Sequence, residues 1–459
     1  MRLTSPWTPR LAAEGRPSER LVAAIAEDIA DGALTRGDRL PPHRELAYRL
    51  GIGLGTVTKA YALLERRGLV QSVRGRGMFV AGLAPRPDGV IDLSVNMPPQ
   101  MLDDRLLAAT LAGLARRLDA GTFAGFIPPA GRPDHRALAA SWLAGQRLEV
   151  SPDTVLLCNG AQHALSVALA TACPPGGLLL TEAATFPGAL MLARASGHRL
   201  IGVDLDREGL RPDALEAALA SPAVAGAAPV LYVTPTLNNP TAATMGARRR
   251  EDIVRLCRRH DVTIIEDDVY SLFAAPDLPP LAALAPERTL YVSGLSKSVS
   301  PGLRVGMLAV PPPFLERALS RLQASCTMAS TLSSAIMAEW LGDGTAHSVA
   351  ASIRLDTERR HALLQSLLPI DQPDSGTRGF HVWLPMPTDA AERLVSSAAA
   401  QGVILMPPRL PLVDPSSPEG GVRLSLGSPP LDKLKLALSA LAGLVHPGGE
   451  RRQGDRPAY

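Results

Sequence analysis

The chain has 459 residues, 46% hydrophobic and 20% charged, with a formal net charge of +3. That length predicts two or three domains, and the longest apolar runs, such as VLYV, fall far short of the roughly 20 residues that cross a membrane. The four cysteines, Cys158, Cys173, Cys257 and Cys326, lack paired spacing. No metal site is therefore expected, and with no secretory leader pattern the reading is a cytoplasmic protein with free thiols.

The charge is uneven. Residues 1–83 hold 13 Arg and Lys against eight Asp and Glu, a net +5, which leaves the remainder at −2. A basic head on a near-neutral body fits contact with nucleic acid. Glu19–Asp31 (ERLVAAIAEDIAD) places Leu21, Ile25 and Ile29 on one helical face, with acids opposite. Leu40-Pro41-Pro42 breaks the chain and launches a second helix, HRELAYRLG, ending at Gly51. The turn IGLG leads to a third, TVTKAYALLERRG, with Thr56 as its N-cap and Gly68 as its stop. Two short helices joined by a glycine turn predict a helix-turn-helix. GLVQSV, RGRG and MFVAG then predict a β-hairpin with Arg74 and Arg76 at its tip.

The run LPPHRELAYRLGIGLGTVTKAYALLERRGLVQSVRGRGMFV resembles the GntR family of winged helix-turn-helix regulators over its whole length. The resemblance implies a head that binds a double-stranded DNA operator. Arg44, Thr56, Thr58, Lys59 and Tyr61 would face the DNA, and Arg74, Arg76 and Gly77 would form the wing tip. A recognition helix enters the major groove at its N-terminal end, and arginines around it neutralise phosphates. The expected divisions are a head over 1–83, a proline- and glycine-bearing linker over 84–90 (APRPDGV), a body over 91–445 and a polar tail over 446–459. Such a linker spans at most about 25 Å.

In the body, VLLC, GLLLTE, RLIGVDL, VLYVTPT, VTIIEDD and TLYVSG read as strands, with helices such as GAQHALSVALATAC between them. That alternation predicts an α/β domain with a mostly parallel sheet, whose strand ends host ligands. The suggestive residues fall at those ends. YVSGLSKSVSPGLRVGML carries Lys297 and, seven positions later, Arg304; IIEDDVY carries Asp267 and Tyr270; TPTLNNPT carries Asn239; TEAATFPG carries Phe186. CNGAQHAL opens a helix after a strand, so the N–H groups of Gly160, Ala161 and Gln162 predict an anion site. This set suits pyridoxal 5′-phosphate (PLP). Lys297 supplies the amine for an internal aldimine and Arg304 clamps the phosphate, with Ser293 or Ser296 as the stand-in for a phosphate hydroxyl. Asp267 keeps the pyridine nitrogen protonated, Tyr270 and Asn239 bond the ring oxygen, and Phe186 stacks on the ring.

Those pieces, in that order, resemble the fold-type-I PLP enzymes of the aspartate aminotransferase family over residues 92–445, and with the head the whole chain resembles the MocR/GabR-like subfamily of GntR regulators. The resemblance implies an N-terminal winged helix-turn-helix joined to a fold-type-I aminotransferase-like domain, a head-to-tail homodimer, and Arg423 in GVRLSLG as the group that binds an effector's α-carboxylate. Two positions depart from the family pattern. Gly294 stands where a Ser or Thr usually serves the phosphate, and Phe126, in GFIPPAG, stands where a neighbouring subunit usually lends a tyrosine. The expected function is a PLP-dependent transcriptional regulator that senses an amino acid or amine effector through Lys297. The alternative is an aminotransferase with a secondary DNA-binding head. Turnover is not expected, although an aminotransferase-type half-reaction stays open. Effector, target genes and direction of regulation are not legible in the residues.

Overall fold

The computed structural model describes residues 7–11, 15–31, 33–34, 38–66, 69–73, 77–80, 90–117, 125–224, 226–371 and 376–445. The chain divides into two compact units, Met1–Val90 and Ile91–Tyr459.

Among its described residues the first unit has three helices, Pro17–Ala30, His43–Leu50 and Leu54–Arg66, and a hairpin of Val70–Val73 with Gly77–Val80. Gly51, at φ 63°, ends the second helix in the left-handed conformation that glycine adopts without penalty. The third helix begins two residues before its predicted start. Thr56 lies inside its first turn, with its N–H donating to the Gly53 carbonyl at 2.9 Å, so it is not the N-cap. Arg74, Arg76 and Gly68 lie outside the described residues. Leu21, Ile25, Leu46, Val57, Leu64, Val70 and Val80 form one core.

Tyr61 belongs to that core and does not face DNA. It is 0% exposed, and its hydroxyl donates to the Pro41 carbonyl at 2.9 Å. The proline break at residues 40–42 leaves a carbonyl without a helical partner, and the phenol satisfies it from across the domain. Its ring also meets His43 edge-on, with centroids 4.8 Å apart.

The second unit is built on a seven-stranded sheet. Its order is Val155–Cys158, Gly306–Ala309, Thr289–Gly294, Thr263–Asp267, Val230–Val233, Leu178–Glu182, Arg199–Val203. Every pairing is parallel except the two made by Gly306–Ala309. Six of the seven strands are those predicted; the antiparallel one is not. Side chains alternate across the sheet. Leu290 and Val292 pack into one apolar cluster, and Tyr291 packs into the cluster on the opposite face.

A smaller C-terminal lobe holds the antiparallel pair His381–Pro387 and Glu419–Ser425, with helices Thr388–Ala400 and Leu431–Val445. The strand that opens this unit, Ile91–Asp92, pairs in parallel with Val403–Ile404 in that lobe, and Leu93 is buried in the lobe's core. The start of the body is thus stitched to its C-terminal end.

Tyr61→Phe should lower the head's stability by about 1 kcal/mol, the worth of one buried hydrogen bond, while DNA affinity of the folded protein stays unchanged. Thermal melting and DNA titration of one preparation test both halves.

Candidate cofactor and effector site

Lys297 follows the strand Thr289–Gly294 in a tight turn. Its ammonium donates to the backbone carbonyl of Asn96 at 2.5 Å. Burial, with the Arg423 and Arg304 charges nearby, pulls its pKa down from 10.5 to about 8, against the pull of Asp267. The amine is therefore easier to deprotonate than a surface lysine, as a nucleophile requires.

Asp267 ends the neighbouring strand. One carboxylate oxygen accepts from the Tyr232 hydroxyl at 2.9 Å; the other, Oδ1, is buried with no partner. Burial raises its pKa from 3.8 to about 6, opposed by the Tyr232 bond. A buried, unpaired carboxylate oxygen is costly, and a pyridinium N–H is the kind of donor that satisfies it. The residues fit the cofactor at this point.

They also fit it at the phosphate end. Gly160 sits at φ 89°, and a Cβ there would lie 2.7 Å from Cζ of Arg304, so only glycine lets the guanidinium lie against this turn. Behind it, helix Ala161–Ala172 points its N-terminus at the same place. The predicted cradle changes in one respect. The Gly160 N–H already donates to Cys158 O at 2.9 Å, so Ala161 and Gln162 are left to offer backbone donors, and Gly160 serves by its missing side chain. The Gln162 side chain donates to Gly188 O at 3.0 Å, beside the Phe186 ring. Ser293 does not replace the missing hydroxyl, because its Oγ is buried 3.5 Å from Gln146 Oε1. Ser296 is half-buried next to Lys297. A Cβ at Gly294 would come within 2.8 Å of the Val305 carbonyl, which explains the glycine by packing.

Tyr270 and Asn239 both reach the site. The Tyr270 oxygen accepts from Asn96 Nδ2 at 2.7 Å, which leaves its own proton free to donate. Asn239 Oδ1 accepts from Arg423 at 2.7 Å, leaving its Nδ2 free. Arg423, on Glu419–Ser425, is buried and also donates to the Ser94 carbonyl; its Nε has no partner. Burial lowers its pKa. Among the described residues it makes no ion pair, so a ligand carboxylate would be its first charged partner.

Asn96, Ser94, Tyr232 and His381 were missed in the sequence. Nothing in SVNMPP distinguishes Asn96 from a turn residue before prolines. His381 lies with its ring 5.3 Å from Tyr270, and burial depresses its pKa to about 3, so it stays neutral.

A family model for aminotransferase class I and II matches residues 88–441. The chain belongs to that family. A model for bacterial regulatory proteins of the gntR family matches residues 17–80, which completes the MocR-like arrangement. The chain is 28% identical to the HTH-type pyridoxine biosynthesis transcriptional regulator PdxR of Corynebacterium glutamicum, over 94% of this chain and 96% of that one. It is 27% identical to the vitamin B6 salvage pathway transcriptional repressor PtsJ of Salmonella typhimurium, over 90% and 95%. The fold matches LysN, an α-aminoadipate aminotransferase of Thermus thermophilus, at a TM-score of 0.68 and 24% identity, over 77% and 92%. PLP is the cofactor of this aminotransferase-type domain.

In the gntR-type head, Arg44, Thr58 and Lys59 are exposed and Thr56 is half-buried. The Thr58 hydroxyl is turned back onto the Leu54 carbonyl at 3.0 Å. Leu54, the first residue of the third helix, is 45% exposed. Gly77 has φ 113°, and a Cβ there would touch the Arg39 guanidinium, so Arg39 braces the wing.

Asp267→Asn in the cofactor-free chain should stabilise the fold at neutral pH. The native carboxyl binds its proton more tightly than the unfolded one, so wild-type stability falls as pH rises from 3.8 to about 6. The gain from the substitution should be small at pH 4 and on the order of 3 kcal/mol at most above pH 6. Melts at the two pH values check it.

Proposed function

We propose that the chain is a PLP-dependent transcriptional regulator. Its head binds operator DNA, and its Lys297 site senses a small amine or amino acid. What carries this reading is the presence, in one chain, of a gntR-type head and a site with a poised lysine, an unpartnered Asp267 oxygen and a buried Arg423. Bound PLP supplies an aldehyde for amines and a pyridinium ring that withdraws electrons. The chain's own groups do the rest. Lys297 would offer its amine, Asp267 Oδ1 would accept the ring N–H, and Tyr270 and Asn239 Nδ2 would donate to the ring oxygen. Arg304 and the N-terminus of Ala161–Ala172 would hold the phosphate, and Phe186 would cover the ring. Arg423 takes the effector's carboxylate in a bidentate geometry that lysine could not match.

The regulator works in the cytoplasm as a head-to-tail homodimer. Support comes from apolar side chains on the aminotransferase-type unit that a lone chain leaves in water, with Phe126 84% exposed and Val95, Leu107 and Leu111 also exposed. Two heads then meet two operator half-sites. Vitamin B6 itself is one signal compatible with this reading, given the names of the two regulators above.

The second reading, a turnover aminotransferase, is favoured by the completeness of the site: lysine, ring acid, phosphate clamp and carboxylate arginine are all present. Against it stands the thinned phosphate cradle, since neither Gly294 nor Phe126 carries a hydroxyl.

Borohydride reduction of the PLP-loaded protein should fix a phosphopyridoxyl group at Lys297, read by peptide mass. Lys297→Ala should lose that label and keep basal DNA binding. Label on another lysine sinks the assignment. Arg44→Ala should weaken binding to all DNA and reduce the salt slope by about one; an unchanged slope removes Arg44 from the interface.

A further inference from the structure

Two cations of the site, half-buried Lys297 and buried Arg423, share one feature that the proposed function leaves unexplained. Lys297 and Arg423 come from different lobes, yet both rest on the same short piece of backbone. Lys297 donates to the carbonyl of Asn96 and Arg423 to the carbonyl of Ser94. The Asn96 side chain adds a third tie, from Nδ2 to the Tyr270 oxygen at 2.7 Å, while its own Oδ1 is buried without a partner. The piece is held in shape locally. Asp92 accepts from both N–H and hydroxyl of Ser94, at 2.7 and 2.6 Å, and the Met97 N–H closes a tight turn onto Val95 O at 3.0 Å. Just upstream, Leu93 is clamped on both sides, donating to Ile404 O at 2.8 Å and accepting from Ser425 N at 3.1 Å. Ile91, where the clamp begins, is the first residue of the unit that follows the head.

Neutral carbonyls are second-best partners for buried cations. A carboxylate adds a full opposite charge and can take two guanidinium N–H groups in parallel, and the unpartnered Nε of Arg423 is ready for one. We propose that Ser94–Asn96 is an internal stand-in for the ligand: the Ser94 carbonyl fills the place of an amino acid's carboxylate on Arg423, the Asn96 carbonyl holds the lysine that the cofactor claims, and ligand binding expels the segment. This rests on the regulator reading above and deepens it by naming how occupancy leaves the site. The displaced residues lie three to five positions beyond Ile91, so the chain that enters the body from the head is the chain that the ligand displaces. A ligand without a carboxylate leaves the Ser94 bond intact and gives a weaker signal.

The probe is N-(5′-phosphopyridoxyl)-L-leucine, a cofactor and an amino acid joined by a non-reacting bond, with pyridoxamine 5′-phosphate as the control that lacks a carboxylate. Both leave Lys297 free, so their difference isolates the exchange at Arg423. In hydrogen exchange on the full-length protein, the Val95–Met97 amides should exchange faster with the leucine adduct than with the control. Asn96→Ala, which removes one tie of the stand-in, should bind the adduct about two- to tenfold more tightly, the equivalent of one hydrogen bond. Slower exchange at Val95–Met97 with the adduct would show that the segment closes over the ligand, and overturns the proposal whether or not the variant folds. Equal or weaker adduct binding by a folded Asn96→Ala overturns it as well. Failure of wild type to bind either probe is a different result, because it removes the cofactor reading itself.

Discussion

The site depends on keeping two cations, Lys297 and Arg423, largely out of water without giving either a carboxylate of its own. Burial lowers the pKa of both, and among the described residues neither makes an ion pair. Such groups are tolerated only where something else satisfies them, and here backbone carbonyls and Asn239 do so. The large sheet delivers Lys297 and Asp267 at adjacent strand ends, and the C-terminal lobe delivers Arg423. The first residues of the body bridge the two.

The same constraint explains several residues that look weak in isolation. Gly160 has no side chain because Arg304 needs the space, and its N–H is spent on Cys158. Gly294 lacks the usual hydroxyl because it lies opposite Gly306 in an antiparallel pair, with the Val305 carbonyl where a Cβ would go. The phosphate end therefore leans on Arg304 and a helix N-terminus. That cradle is less elaborate than its family's usual one.

Much of this was legible in the residues. Apolar runs of strand length placed six sheet strands, and Lys297, Asp267, Asn239, Tyr270 and Arg423 converge in the structure. What was not legible depends on distant partners. Tyr61 has the amphipathic chemistry of either a core or an interface residue, and only the Pro41 carbonyl, 20 residues away, decides it. The strand Gly306–Ala309 hid because it starts on a glycine directly after the Arg304 turn and runs for four residues. Asn96 hid because its two roles are set by Lys297 and Tyr270, far along the chain.

The central claim is that occupancy of the Lys297 site changes the head's grip on DNA, and one titration addresses it directly. PLP-loaded full-length protein would be mixed with an operator fragment selected from random sequence, and a panel of amino acids and amines added while keto-acid is assayed in the same tube. The account predicts that at least one compound shifts operator affinity by about fivefold or more, the lower end of typical coupling between sites, with no more than one keto-acid formed per site. Steady keto-acid production across the panel, with operator affinity unmoved, would contradict it and make the chain an enzyme that carries a head.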